Sequence, residues 1–188
     1  TSGSTGTPIR VYHSRDSLQY WYGLSEVRWR KWYNLSYKQP WAYIAGRKIV
    51  PFNNQKPPFW IWNKGLKQLY LSCYHLKAQY ISYYVDALRK HEVVYLFGLA
   101  SSIHQLAYHG KNMGIIPPPM KAVVSCAETL YPHHRKIIEV SSNKLNNAKN
   151  TIKATKVALN TKVDSKPEIL LIVDDGMGKI PKGPEMKD

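Results

Sequence analysis

The stretch Val93-Val94-Tyr95-Leu96-Phe97-Gly98-Leu99-Ala100-Ser101-Ser102 decides the fold class, because in it a strand pattern passes directly into a helix pattern. The unbroken β-branched and aromatic run over 93–97 predicts a buried strand, which Gly98 is expected to stop. The segment after it predicts a helix with Ser101 or Ser102 as its N-cap. The apolar face of that helix is expected to carry Ile103, Leu106 and Ala107.

Two further strand and helix patterns flank this unit. A strand is predicted over 69–74 before one helix, and another over 122–126 before a last helix whose first turn suits Pro132. The expected inward positions are Ile81, Tyr84, Val85 and Leu88 in the first of these helices, and Ile137 and Ile138 in the second. Strands that alternate with helices predict βαβ units. The predicted fold class is therefore α/β, a mainly parallel sheet with flanking helices, whose ligands bind beyond the carboxyl ends of the strands.

The segments before these units are less regular. Residues 16–33 predict a helix, and residues 40–66 are loop-rich with short aromatic strand-like pieces such as Phe59-Trp60-Ile61-Trp62. The inward positions of that first helix are expected to be Leu18, Trp21, Leu24 and Trp32.

The composition divides the chain into two regions, 1–140 and 141–188. Every aromatic residue and every histidine lies in the first region, whereas the second is rich in Lys, Asn and Thr. Poor apolar periodicity over 143–166 predicts a poorly ordered tail that is unrelated to the first region or arises from a shifted reading frame. Residues 168–173 predict a short strand that ends at Asp174 and Asp175. Such paired carboxylates occur at metal sites, although a plain strand followed by a turn is favoured.

Charge and cysteine content limit the function classes. The formal net charge is +15, but the cations are spread along the chain, which favours a solvated surface and disfavours nucleic acid as the partner. The two cysteines, Cys73 and Cys126, lie in apolar runs and are expected to be buried free thiols. No stretch approaches the length of about 18 apolar residues that a membrane span needs, so a cytoplasmic protein is expected. Because the chain does not begin with methionine, a fragment or a processed product is also expected.

The chain opens with Thr1-Ser2-Gly3-Ser4-Thr5-Gly6-Thr7-Pro8, a loop with the composition of a phosphate cradle. Glycines let the backbone approach an anion closely, while N–H groups and hydroxyls donate to phosphate oxygens. The loop matches neither the P-loop nor the G-x-G-x-x-G pattern. A flexible linker or an expression scar has the same composition, and the residues of this loop alone leave these alternatives open.

Four segments in order resemble adenylate-forming enzymes, most closely the phenylacetate–CoA ligase branch that includes adenylate-forming proteins of capsular polysaccharide biosynthesis. The resemblance spans about residues 1–139 and rests on the opening loop and on three later motifs. These are Leu71-Ser72-Cys73-Tyr74-His75-Leu76, Gly98-Leu99-Ala100-Ser101-Ser102 and Ser125-Cys126-Ala127-Glu128-Thr129-Leu130-Tyr131-Pro132. The chain is thereby identified as part of the large domain of such an enzyme, and the phosphate-binding interpretation of the opening loop is favoured.

The resemblance implies that a carboxylate attacks the α-phosphorus of ATP to give an acyl-adenylate and pyrophosphate, after which a thiol such as that of coenzyme A takes the acyl group. It implies ATP, Mg²⁺ and, as a further option, coenzyme A as cofactors, with a small-molecule carboxylate as substrate. The phosphates would lie against the opening loop, at Thr1, Ser2, Gly3, Ser4, Thr5, Gly6 and Thr7. Arg10 stands near the position at which the family often has a lysine.

The same resemblance implies that the turn after the last strand walls the adenine and acyl pockets through Ser125, Ala127 and Glu128. Glu128 would orient the nucleotide, or else complement a helix dipole as a first-turn charge. His75 could line the acyl pocket, but a partly exposed structural histidine is favoured. His133 and His134 are expected to point to different faces of the last helix and to have a surface role rather than a metal.

No catalytic residue is assigned, because the family's Tyr-Gly-x-Thr/Ser-Glu element, which holds magnesium, is not recognisable after Glu139. The chain alone is therefore expected not to turn over ATP. The alternative function is a basic, aromatic-rich and non-enzymatic module that binds nucleic acid or acidic polymers.

Overall fold

The computed structural model describes residues 10–141 and the backbone of residues 170–174. Six strands form one sheet in the spatial order β2-β3-β1-β4-β5-β6. The strands are β1 (Trp41–Ala45), β2 (Trp60–Asn63), β3 (Gln68–Ser72), β4 (Tyr95–Leu99), β5 (Ala122–Cys126) and β6 (Leu170–Asp174). The edge strand β2 pairs with β3 antiparallel, and every other neighbouring pair is parallel. The predicted α/β class with a mainly parallel sheet is therefore confirmed.

The helices are α1 (Arg15–Trp29), α2 (Ile81–Lys90), α3 (Ala100–Asn112) and α4, which begins at residue 132 and runs to 141, where the described part stops. Helix α2 connects β3 to β4, and α3 connects β4 to β5. The apolar residues expected on α2 are all buried, as are Ile103 and Leu106 on α3 and Ile138 on α4. These helices pack against one face of the sheet, here called the helix face, which presents Ala42, Ile44, Leu69, Leu71, Leu96 and Val123.

The opposite face of the sheet, here called the aromatic face, presents Trp41, Tyr43, Tyr70, Tyr95, Phe97 and Val124. Side chains of a strand alternate between the two faces, so the same strands carry small and aliphatic residues on one side and rings on the other. Within the described residues, this face is contacted by Trp29 at the end of α1, by Arg30 and by the segment 33–35 that follows, in which Leu35 is buried.

Helix α1 differs from its prediction in both length and orientation. The helix ends at Trp29, and three of the four residues expected to point inward, Leu18, Trp21 and Leu24, are exposed, while Trp32 is half-buried. The predicted pattern was wrong because the contacts with the sheet come from the end of the helix: the Trp29 ring packs against Phe97 at a tilt, and Arg30, the C-cap, donates to the Tyr95 hydroxyl.

Two local predictions about the central unit were also wrong. Gly98 does not stop β4 but lies inside it, paired with Ile44 of β1 and Ser125 of β5. Neither Ser101 nor Ser102 is the N-cap of α3, because the helix already begins at Ala100 and its N-cap, Leu99, has no side-chain hydrogen bond.

The other strand predictions differ from the structure only at their ends. The strand expected over 69–74 is β3, Gln68–Ser72, after which Cys73–His75 forms a 3-10 turn. The strand expected near the end of the chain is β6, which is parallel to β5 with Cys126 opposite Asp174. The division at residue 140 and the poorly ordered tail stay predictions, since Asp175 and most of the tail lie outside the described residues.

Candidate ligand site at the carboxyl edge of the sheet

Two buried polar residues, Ser72 and His75, lie at the end of β3. Ser72 Oγ and His75 Nδ1 are 2.8 Å apart and share a hydrogen bond, and the Tyr84 hydroxyl donates to the Ser72 carbonyl over 2.8 Å. His75 is buried, not partly exposed as expected, and its ring stacks on Phe59 at 4.9 Å. Its Nε2 has no partner among the described residues. These contacts give His75 a structural role at this edge.

The N-terminus of α3, directly after β4, holds the carboxylate of Glu128. The Ser101 N–H donates to Oε2 over 2.8 Å, and the Ser101 hydroxyl donates to Oε1 over 3.0 Å. A carboxylate at this position is stabilised by the unpaired N–H groups and the positive end of the helix dipole. Glu128 therefore complements the dipole of α3, the helix that comes before β5 in the chain. Both carboxylate oxygens of Glu128 accept hydrogen bonds.

The turn after β5 combines a buried hydroxyl with an unusual backbone conformation. Ser125 is fully buried, and its Oγ has no hydrogen-bond partner among the described residues. Ala127 has φ of 60°, in the left-handed region that residues with a Cβ rarely adopt. Strained turns of this kind are concentrated at ligand-binding loops. Since Ala127 is exposed and Ser125 is not, the two residues expected to wall a pocket lie in different environments.

Cys73, which directly follows β3, interacts with Ser102 after β4 and with Glu128 after β5. Burial raises the pKa of its thiol, and the charge of Glu128 raises it further, while hydrogen bonds from its own backbone and to Ser102 lower it. The thiol thus lies close enough to Ser102 of α3 and to Glu128 for both residues to change its pKa. Cys73 and Cys126 are not joined in a disulfide, as predicted, but each is only half-buried. The carboxyl ends of β3, β4 and β5 therefore gather three of the motifs that carried the sequence prediction.

A cavity of about 890 Å³ between α1 and the aromatic face was missed by the sequence analysis. Tyr43 stacks on Phe97 at 5.7 Å and meets Tyr70 edge-on at 6.1 Å, so rings from β1, β3 and β4 form one row, the aromatic row. The Arg47 guanidinium lies 5.2 Å from the Tyr70 ring at the end of the cavity nearest the strand carboxyl ends. The signal in the sequence was the spacing of two in Trp41-Ala42-Tyr43 and Tyr95-Leu96-Phe97.

His133 and His134 do not have the separate surroundings that were expected. The ring of His134 lies 4.4 Å from that of His104 on α3, and the ring of His133 lies 5.8 Å from it. Within the described residues, however, no group of three or more His, Cys, Asp or Glu side chains is arranged to hold a metal ion.

The opening loop, Thr1 to Thr7, lies outside the described residues, so its role stays a prediction. Over residues 10–141, no helix is both long and apolar enough to cross a membrane.

Comparison with known proteins gives a partial match. The chain is 36% identical over 102 residues to Protein CapK of Staphylococcus aureus, and the match covers 53% of this chain and 22% of CapK. The chain is therefore a partial homologue that spans about a fifth of the length of that relative. No protein-family model and no solved structure matches the chain.

Proposed function

We propose that this chain is part of the nucleotide-binding domain of an ATP-dependent, carboxylate-activating ligase. The observation that carries the proposal is the convergence at one edge of a parallel sheet of Ser72, Ser101 and the turn Ser125 to Glu128, which the sequence places in three separate motifs. Ligands of parallel sheets bind at this edge. The partial match to CapK is consistent with the capsular branch of these enzymes.

The described side chains fit a nucleotide in one respect. Ser125 Oγ is a buried donor and acceptor without a partner, and buried polar groups are usually satisfied. Because Ser125 has no exposed surface, a ligand at the strand ends would supply that partner only if the turn after β5 opened. Phosphate oxygens would be held by the hydroxyls and N–H groups of the opening loop, whose donors stabilise the charge that develops on a leaving pyrophosphate. The final acceptor, coenzyme A or another nucleophile, is part of the same proposal.

The glutamate with which the family holds magnesium is not recognisable after Glu139, and Glu128 already accepts hydrogen bonds from Ser101 through both of its oxygens. Magnesium that arrives with ATP would be held mainly by the phosphates and by water. We therefore expect the chain to bind ATP without turning it over.

ATP binding by the purified chain tests the proposal. Binding of ATP measured by calorimetry should be lost when residues 1–8 are deleted, because their donors hold the phosphates, whereas circular dichroism should stay unchanged. Equal affinity of the full and the shortened chain would contradict the assigned loop. Carboxylate-dependent release of pyrophosphate by the full chain would refute its expected lack of turnover.

A second candidate function, the binding of an acidic polymer, is favoured by the aromatic row. Rings on three neighbouring strands can stack on planar or sugar rings, and Arg47 could meet an anionic group at the end of the row. This binding would not depend on residues 1–8 but would be lost in Tyr43→Ala. Dextran sulfate and single-stranded oligonucleotides, titrated against the full chain, the shortened chain and this variant, distinguish the two functions.

A further inference from the structure

Three histidines meet where α4 packs on α3. The ring centroids of His104 and His134 are 4.4 Å apart, those of His133 and His134 are 4.3 Å apart, and those of His104 and His133 are 5.8 Å apart. His104 lies on α3, whereas the other two lie in the first turn of α4. These three residues, here called the histidine cluster, thus hold the start of one helix against the middle of another.

The surroundings of the cluster provide little to neutralise a positive charge. Tyr131 and Tyr108 stack on it, and His109, the next histidine along α3, adds a further cation when protonated. Glu128, a carboxylate whose charge raises the pKa of His134, is already held by Ser101. On α4, Arg135 adds one more positive charge, and its guanidinium is paired with Glu139.

His104 and His134 are half-buried and His133 is exposed, and the contacts of the half-buried pair favour neutral imidazoles. Nδ1 of His134 is inaccessible to solvent and has no hydrogen-bond partner among residues 10–141. Burial lowers the pKa of His104, and the neighbouring histidines lower it further; burial also lowers the pKa of His134, followed by the charge of His133, while Glu128 acts in the opposite direction. Protonation of neighbouring histidines would place two positive charges on rings whose centroids are 4.3–4.4 Å apart.

Helix α4 also covers an apolar cavity. Ile138 and Ser141 line a space of about 50 Å³ together with residues of α2, α3 and the sheet, among them Val85, Leu96 and Leu106. Beyond this apolar contact, α4 is tied to α3 by the hydroxyl of Ser141, which donates to the Ala107 carbonyl over 3.2 Å. Release of α4 would open this cavity to solvent and expose its apolar lining.

We propose that the histidine cluster is a pH-sensitive latch, which docks α4 on α3 while the imidazoles are neutral and releases it when they become protonated. The sign follows from linkage. A histidine whose pKa is lowered in the docked state binds protons more weakly there than in the released state. Docking is therefore fully favourable above the ordinary histidine pKa of about 6.5 and weakens as the pH falls below it.

Hydrogen exchange of the full chain tests the latch. Exchange of the α4 amides, residues 132–141, is compared at about pH 7.5 and about pH 5.5, which bracket histidine titration. The amides of α2 serve as the internal reference for the intrinsic effect of pH on exchange. Repulsion between two unit charges about 4 Å apart in water corresponds to roughly a five-fold change in an equilibrium constant, so at least this loss of α4 protection is expected at the lower pH.

Two variants complete the test. The double variant His104→Gln and His134→Gln should keep the protection of α4 at both pH values, whereas the control His13→Gln, which changes a histidine in the exposed segment before α1, should behave as the unmodified chain. If the double variant does not fold, as judged by circular dichroism, the single variant His104→Gln should still reduce the pH effect. The latch would be overturned if α4 of the unmodified chain were equally protected at both pH values. It would also be overturned if the double variant lost as much α4 protection as the unmodified chain, or if α2 lost as much protection as α4.

Discussion

Replacement of Gly98 by alanine tests the packing of the central strands most sharply. Gly98 is buried in β4 between Ile44 of β1 and Ser125 of β5. A Cβ at this position would overlap the Ile44 carbonyl oxygen and would lie 2.6 Å from Ile44 Cγ2 and 2.9 Å from the Ile44 carbonyl carbon. The obstacle is mainly backbone, so it cannot be removed by the rotation of a flexible side chain.

The cost follows from the geometry of the sheet. Strand β1 is held by β3 on one side and β4 on the other, so neither backbone can move without weakening a parallel ladder. Overpacking of a well-filled core costs about 1–3 kcal/mol, and a backbone clash belongs at the upper end of that range. We expect Gly98→Ala to lower the free energy of unfolding by about 3 kcal/mol and the melting temperature by about 6–12 °C.

Urea unfolding followed by circular dichroism measures this loss, with Gly23→Ala as the matched control. Gly23 lies in α1, and a Cβ there would have no heavy atom within 4 Å. Alanine should therefore stabilise α1 by about 0.5–1 kcal/mol, because glycine loses more backbone entropy in a helix. If the free energy of unfolding of Gly98→Ala were within about 0.5 kcal/mol of that of the unmodified chain, the close approach of β1 and β4 would be refuted, since changes of that size are typical of surface sites.

Three further substitutions probe the strand ends, each measured by urea unfolding. Glu128→Ala should cost about 1 kcal/mol, because the Ser101 N–H at the N-terminus of α3 loses its side-chain acceptor, and an unchanged stability would contradict that contact. Tyr84→Phe should cost about 1–2 kcal/mol, because the buried Ser72 carbonyl loses a donor whose pKa burial raises; no loss would mean that the bond is not made. Ala127→Gly should stabilise the chain by up to about 1 kcal/mol through relief of its positive φ, and a destabilised variant would argue against that conformation.

The sequence predicted β3, β4 and β5 well because each is a short apolar run that leads into an amphipathic helix. Patterns of this kind arise from burial on the helix face, where Leu96, Val85 and Ile103 meet, so the pattern and the packing have the same cause. Strand β1 lies between β3 and β4 but leads into a loop, so it was not distinguished within the loop-rich segment 40–66. Gly98 was misjudged because glycine is a usual stop signal, while here it permits the close approach of a neighbouring strand, which only the pairing of strands reveals.

Helix α1 could not be predicted in the same way. Its aromatic residues occur on several sides, and Trp21, Tyr22 and Leu24 are all exposed, so no single apolar stripe marks its inward face. The contact of Trp29 with Phe97 joins residues that are far apart in the chain, and periodicity within one helix carries no information about it.

The position of the last motif in the sheet was predicted, whereas its role in a site stays a prediction. The resemblance led to Ser125, Ala127 and Glu128, and the structure places them at the carboxyl edge of the sheet. The resemblance could not indicate that Glu128 binds the N-terminus of α3. That contact depends on how β4, β5 and the loops after them align in the sheet. The aromatic row was missed for a related reason, since residues of β1, β3 and β4 become neighbours only in the sheet.

Photocrosslinking with 8-azido-ATP tests most directly whether the carboxyl edge of the sheet is a nucleotide site. The proposal predicts that the label, mapped by mass spectrometry and displaced by excess ATP, is found in the peptide that contains Ser125 to Glu128. Label that is confined to the aromatic row, at Tyr43, Tyr70 or Phe97, or that is not displaced by ATP, would contradict the proposed site.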